Sequence, residues 1–348
     1  MRKFRKPIFT ILFILINVAV ILITGFSEFG NSENAAKLSE VKINYGFLIP
    51  AAVCFIIAIK IEISKYVLMM RRAGKIENKT KKRKIWKTAR RTVLLGKYYD
   101  NVTPAAVGGQ PFQIYYMHKN GGVSEGMATT IPIIGMISNQ IGFLIVAAIT
   151  FLFGSLSINN AALIATACFG LLFYAFWPIM IMIAAFLPNA TSEIITVGVR
   201  LLAKLHIVKN KAATIKKARD GVSEYAKCVK KILKTRGLFL KTILISILFH
   251  ILVSMIPFFV LTAFGGEVDF LPCFVTTVAV TSAVYFIPTP GNAGAAEGTF
   301  YVVFSALSSG YVFWAMLTWR FFSYYIYIIM GPIIYLVMHF EKKRGIIK

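Results

Sequence analysis

Two short stretches carry residue types that could do chemistry inside an otherwise apolar chain. Thr103-Pro104-Ala105-Ala106-Val107-Gly108-Gly109-Gln110 and Thr289-Pro290-Gly291-Asn292-Ala293-Gly294-Ala295-Ala296-Glu297 each open on Thr-Pro and run into small residues. Proline removes a backbone donor and glycine admits conformations closed to other residues, so both stretches interrupt a helix. The freed N–H and C=O groups cannot face lipid and must line protein or a water-filled cavity. A helix restarting after each turn would aim its positive dipole end there, which suits an anionic headgroup. At a constant offset of 186 residues, Thr103 falls on Thr289, Pro104 on Pro290, Gly108 on Gly294 and Tyr115 on Tyr301. The plainer alternative is a pair of ordinary kinks between packed helices.

Charge points to the same place. Residues 270–319 hold a single charged side chain, Glu297, and Arg320 lies about ten residues into the last apolar run. Ionisable groups at membrane depth are costly and face a partner or a cavity. Glu297 and Arg320 are therefore expected to approach one another, with Arg320 reaching a lipid phosphate; the alternative is a purely structural pair that holds the turn. Asp100, beside the first turn, is the analogous acid; the alternative is an acid that simply sits at the membrane interface. The expected substrate-binding set is Thr103, Pro104, Gly108, Gly109, Gln110, Thr289, Pro290, Gly291, Asn292, Gly294, Glu297 and Arg320. His250 reads as a hydrogen-bonded packing residue, and Trp314, Trp319, Tyr324, Tyr325 and Tyr327 as packing or interfacial aromatics. No hydrolase, P-loop, Rossmann or zinc motif occurs, so no catalytic residue, metal or cofactor is expected. Cys54, Cys168, Cys228 and Cys273 are scattered and form neither a disulfide framework nor a zinc site.

The elements that must position these residues follow from composition. Of 348 residues 57% are hydrophobic and only 15% charged, with 39 Lys+Arg against 14 Asp+Glu and a net charge of +25. Such basicity fits nucleic acid or anionic lipid. Its placement decides for lipid, because the basic residues flank apolar runs and are nearly absent within them. Six spans are expected at about 7–26, 43–70, 127–153, 161–187, 238–263 and 311–338. Residues 2–6 resemble the start of a signal peptide, but no small-residue cleavage site follows, so 7–26 is read as a retained helix. In the second span Lys60, Glu62 and Lys65 are expected to emerge into cytoplasmic headgroups.

Residues 71–91 carry eleven Lys/Arg and one acid, and 193–236 carry twelve and three. A basic cytoplasmic surface segment is accordingly placed at 71–99, with Ile85, Trp86, Val93 and Leu94 as an apolar stripe on the membrane, and a cytoplasmic helical excursion at 189–236. Re-entrant broken segments are placed at 93–117 and 271–309 within one membrane domain, 1–348. The loops 27–42 and 265–269 are acidic and suit the outside. With both termini cytoplasmic, every large basic region falls on one side. The two broken segments then enter from opposite sides, the signature of an inverted repeat with a midplane site. The expected fold is an all-α polytopic membrane protein of about six full spans plus two re-entrant segments.

The stretches 103–113 and 288–298 resemble the two signature regions of the lysylphosphatidylglycerol synthase transmembrane, flippase-like family, and the likeness runs over about 8–340. Its most specific part is the Pro-x-x-Gly-x-x-Glu region; where members often carry Gly-Gly after the proline, this chain has Gly291-Asn292. The resemblance implies a domain that translocates a phospholipid, such as aminoacylated phosphatidylglycerol, across the inner cell membrane and contributes to resistance to cationic peptides. Aminoacyl transfer in fused members belongs to a separate soluble domain, so a transferase label would be inherited from longer relatives. Two other readings stay open: a lipid-modifying transferase of the phosphatidylglycerol lysyltransferase kind, and an accessory subunit of a separately encoded synthase or glycosyltransferase. The expected partners are an anionic phospholipid, the membrane, and a second copy or a separate synthase; nucleic acid is not among them.

Overall fold

The computed structural model describes residues 43–74, 79–106, 108–154, 160–204, 210–235, 237–308 and 311–343. In chain order the helices are α1 (Tyr45–Gly74), α2 (Lys79–Val102), α3 (Gly109–Asn120), α4 (Glu125–Gly154), α5 (Ala161–Phe186), α6 (Pro188–Lys204), α7 (Lys211–Lys234), α8 (Leu238–Ala263), α9 (Phe270–Val284), α10 (Ala295–Ser305), α11 (Val312–Arg320) and α12 (Ile326–Lys343). No strand occurs among the described residues. This is an all-α polytopic membrane protein.

Five stretches are long and apolar enough to cross a membrane: Tyr45–Arg72, Glu125–Gly154, Ala161–Phe186, Leu238–Ala263 and Val312–Glu341. They match five of the six expected spans; the sixth, about 7–26, and the loop 27–42 lie outside the described residues. Prolines 50, 132, 178, 257 and 332 sit inside these helices without ending them. Neighbouring helices can re-satisfy what a proline frees. Pro104 and Pro290, by contrast, stand at true breaks, where Ala106 in the first and Gly291 and Asn292 in the second take a left-handed backbone. α5 turns Phe169, Leu172, Phe173 and Ile179 outward, and α4 exposes Leu152 and Phe153. An apolar surface of that extent belongs against hydrocarbon.

α1 packs most extensively along α8, which also packs on α4. One core gathers Val260, Leu261, Ala279, Phe300, Phe304 and Met316; another gathers Met69, Met70, Ile131, Ile134, Val229 and Ile232. α6 and α7 pair with each other, and α7 lays Ala226, Val229 and Ile232 inward while its lysines face out.

Two expectations need correction here. Ile85, Val93 and Leu94 of α2 are buried in the protein cores, leaving Trp86, 40% exposed, as the one member of the expected stripe that lies open. The helix closes over α1 and the Met69–Met70 core, which offers those side chains better burial than a membrane surface. Glu62 and Lys65 do not snorkel: they are 3% and 0% exposed, whereas Lys60 is exposed. α1 continues past them to Gly74, and α4 and α8 cover the face they occupy.

Candidate functional site

The first broken stretch joins α2 to α3 and the second joins α9 to α10, each pair folding back into a helical hairpin. Both joints are built on one short turn, although their traces are not the same: Gly291 and Gly294 are left-handed, φ 58° and 85°, whereas Gly108, the counterpart of Gly294, has φ −82°. Pro104–Ala106 and Pro290–Asn292 each form one turn of 3₁₀ helix, again 186 residues apart. The Ala106 N–H donates to the Thr103 carbonyl at 3.2 Å, and the Asn292 N–H to the Thr289 carbonyl at 3.1 Å. Ala106 and Asn292, which share no side-chain chemistry, both take a left-handed backbone, φ 51° and 54°. The helices that follow open with equivalent bonds, Phe112 N–H to Gly108 at 3.3 Å and Gly298 N–H to Gly294 at 3.0 Å. The departure at Gly291-Asn292 is thereby accommodated. Asparagine is among the few residues that tolerate a left-handed backbone, and its side-chain amide donates to the Val284 carbonyl.

The two turns pack against each other, and the second also touches α2. Gly291 sits at the junction with φ 58°, where a Cβ would overlap the Tyr324 ring and lie 3.4 Å from the Asn101 carbonyl oxygen. Gly291→Ala is expected to lower the thermal midpoint in detergent, since a left-handed alanine alone costs about 1–2 kcal/mol and the ring must also shift. An unchanged midpoint would show that the turn is not held in this conformation.

Hydroxyls brace both turns. The Thr103 hydroxyl donates to the Tyr99 carbonyl at 2.7 Å and accepts the Gly108 N–H at 2.9 Å. The Thr289 hydroxyl donates to the Ala293 carbonyl at 2.9 Å. Pro104 is exposed, Gly109 is buried, and Gln110, Gly108, Pro290 and Gly294 are half-buried. Each restarting helix gives its leading N–H to an acid of the chain itself. Asp100 Oδ1 accepts from Gly109 at 3.0 Å, and Glu297 Oε2 from Gly294 at 2.8 Å. The expectation of open positive ends is corrected accordingly, because a helix N-terminus draws the nearest carboxylate and both acids are already tethered beside it.

The other oxygen of Glu297 meets Arg320. Nε lies 2.7 Å from Oε1, and Nη2 donates to the Gly291 carbonyl at 3.2 Å. Both side chains are buried, Glu297 1% and Arg320 4% exposed. The guanidinium rests 4.8 Å from the Tyr324 ring centre and 5.6 Å from that of Trp319. Directly after Arg320 the helix widens into a π turn, Phe321–Tyr325. Such bulges recur at functional sites, and this one brings Tyr324 over the cation. Arg320 thus ties α11 to the second turn, and the residues chosen from sequence fall on two touching turns and the helix that clamps one of them.

Residues 8–331 match the model of the family described as the lysylphosphatidylglycerol synthase TM region. The chain belongs to this family. The match runs through both turns, Glu297 and Arg320 and into α12. No curated protein and no solved structure matches the chain. Membership in the lysylphosphatidylglycerol synthase TM-region family ties the chain to a lipid-related function in a membrane.

A second buried polar site escaped the sequence reading. Lys65 Nζ lies 2.8 Å from Glu62 Oε2, 2.7 Å from Asn139 Oδ1, 3.1 Å from Ser246 Oγ and 3.3 Å from the Gly135 carbonyl. Asn139 Nδ2 donates to Glu62 Oε1 at 3.0 Å, and His250 Nε2 is 3.0 Å from the Asn139 carbonyl. The cluster joins α1, α4 and α8. His250 is a hydrogen-bonded side chain between Phe143 and Phe249, as its position in an apolar run implied. A signal was present: Tyr66-Val67-Leu68-Met69-Met70 separates Lys65 from the next charge, Arg71, so Lys65 lies deeper than a residue leaving the membrane.

Proposed function

We propose that this protein is a lipid translocase of the inner cell membrane, carrying an anionic phospholipid between leaflets without covalent chemistry. The observation that carries the reading is the contact of two similar 3₁₀ turns, the second of them clamped by a buried Glu297–Arg320 pair. In this reading the hairpins dip into the bilayer from opposite leaflets, both termini are cytoplasmic, and the basic faces of α2 and α7 lie toward the negatively charged inner leaflet. A midplane site between related halves lets each half open in turn. Arg320 supplies the cation nearest the headgroup phosphate, and Thr103, Gly108, Gly109, Gln110, Thr289, Asn292 and Gly294 line its seat, with Pro104, Pro290 and Gly291 shaping the turns.

The test is a leaflet-accessibility assay in proteoliposomes of phosphatidylethanolamine and phosphatidylglycerol with a trace of nitrobenzoxadiazole-labelled phosphatidylglycerol. Dithionite, which bleaches only the outer leaflet, is expected to bleach the inner-leaflet pool as well when the protein is present. Protection equal to that of protein-free vesicles overturns the reading. Formation of aminoacyl-lipid from charged tRNA would replace it with a transferase, and flux that appears only with a co-expressed synthase would replace it with an accessory subunit.

A further inference from the structure

We propose that the joint between α7 and α8 is a second lipid site, which holds the phosphate of an anionic phospholipid resident in the leaflet it borders. The site lies apart from the two turns. It goes beyond the translocase reading and does not depend on it.

An open cavity of about 440 Å³ is lined there by Lys227, Lys230, Lys231, Lys234 and Thr235, with no acid in its wall. The four lysines stand three or four residues apart along α7, so they share one face and repel one another. All four are exposed, and none forms an ion pair among the described residues. Glu224, the acid one turn before Lys227, is turned toward Gly126 of α4, where an added Cβ would meet its carboxylate. The helix dipole favours cations in the last turn and accounts for Lys231 and Lys234. Lys227 and Lys230 lie a turn earlier, beyond its reach. An anion in the cavity relieves the repulsion of all four.

The lysine stems stand on an anchored scaffold. Ala226, Val229 and Ile232 alternate with them on the inner face of α7 and are buried. Val229 and Ile232 join the Met69–Met70 core, together with Leu238 at the start of α8. The Thr235 N–H donates to the Lys231 and Ile232 carbonyls, each at 3.1 Å, and its hydroxyl donates to the Lys231 carbonyl at 2.8 Å. Gly237, at φ 65°, then turns the chain into α8. The cluster is built before an anion arrives, so binding has no loop to order.

Depth identifies the occupant as a lipid. α7 carries eight Lys/Arg and stays out of hydrocarbon, whereas α8 is a span whose single charged residue, Lys241, falls in its first four positions. The joint between them therefore lies at headgroup level. From it Leu240, Leu244 and Leu248 descend α8 as an open apolar row, 61%, 55% and 47% exposed. Eight residues of helix cover about 12 Å, most of the hydrocarbon depth of one leaflet. A phosphate in the lysine cavity and acyl chains along the leucines use both features, while free phosphate would use only the first. Basic pockets at the membrane surface hold anionic headgroups in this way, and in the topology proposed above the leaflet is the cytoplasmic one.

The experiment places the full chain in nanodiscs of phosphatidylcholine with or without phosphatidylglycerol, acetylates lysines with a water-soluble succinimidyl ester, and follows each by peptide mass spectrometry. Phosphatidylglycerol is expected to slow modification of Lys227, Lys230, Lys231 and Lys234 several-fold, and that of Lys211, Lys216 and Lys217, at the far end of α7, much less. Equal slowing at both ends, or none at either, overturns the site. Slowing reproduced by inorganic phosphate in phosphatidylcholine discs overturns the assignment to lipid. The triple variant Lys227→Gln, Lys230→Gln and Lys234→Gln leaves Lys231 as a reporter, which is expected to lose its protection. Lys211→Gln with Lys216→Gln and Lys217→Gln removes the same charge and is expected to leave Lys231 protected. Protection that survives in the first variant, or falls equally in both, overturns the cavity as its source. Protected lysines in a protein that moves no lipid in the dithionite assay overturn the translocase and leave this site standing.

Discussion

Arg320→Ala is expected to abolish lipid movement in the dithionite assay while the protein still inserts into the membrane. The physical ground is the asymmetry of buried ion pairs. Removing one partner leaves the other charged and unpaired, which costs about 3–5 kcal/mol. Here the loss is compounded, because Arg320 also holds the Gly291 carbonyl, and without it the second turn loses both of these polar ties to α11. Glu297→Gln strands the guanidinium instead. It can still offer an oxygen to the Gly294 N–H, so it is expected to lose transport with a smaller drop in thermal midpoint. Full activity in either variant removes the pair from the mechanism.

The second large effect belongs to the Lys65–Glu62 pair and concerns stability. Lys65→Met is expected to destabilise the protein by about 3–5 kcal/mol, because Glu62 is left as a lone buried carboxylate. Glu62→Leu should cost a similar amount through the stranded ammonium. The double variant Glu62→Leu with Lys65→Met is expected to recover most of that loss, since an apolar pair of similar volume removes both desolvation costs together. Thermal midpoints of the four proteins in detergent form a double-mutant cycle, and the interaction energy reads out directly as the failure of additivity. Additive single losses would mean that the two side chains do not share one buried site.

Much of this molecule was legible before any coordinates. Runs of uncharged residues about as long as a bilayer is thick, such as 126–154, mark spans because length and hydropathy are properties of one segment at a time. The Thr-Pro breaks were legible for the same reason: proline's missing donor and glycine's freedom act within a few residues of themselves. Four identities at a fixed offset sufficed to align two turns that share a 3₁₀ hydrogen bond and one left-handed position, although Ala106 and Asn292 gave no hint of each other.

What depended on other segments was not legible. Glu62 and Lys65 read as headgroup residues because a charge near the end of an apolar run ordinarily leaves the membrane; only the approach of α4 with Asn139 and of α8 with Ser246 makes their burial tolerable. The stripe on α2 had a helical period, yet whether lipid or protein covers it depends on where α1 places Met69 and Met70. The dipole ends of α3 and α10 looked free along the chain and proved to be held by Asp100 and Glu297, because nine residues and three residues of backbone respectively bend back to bring acid and N–H together. Spans and breaks follow from short-range physics that a linear chain displays. Which charges are buried, and which partner neutralises each, is a long-range electrostatic question answered only when the helices have packed.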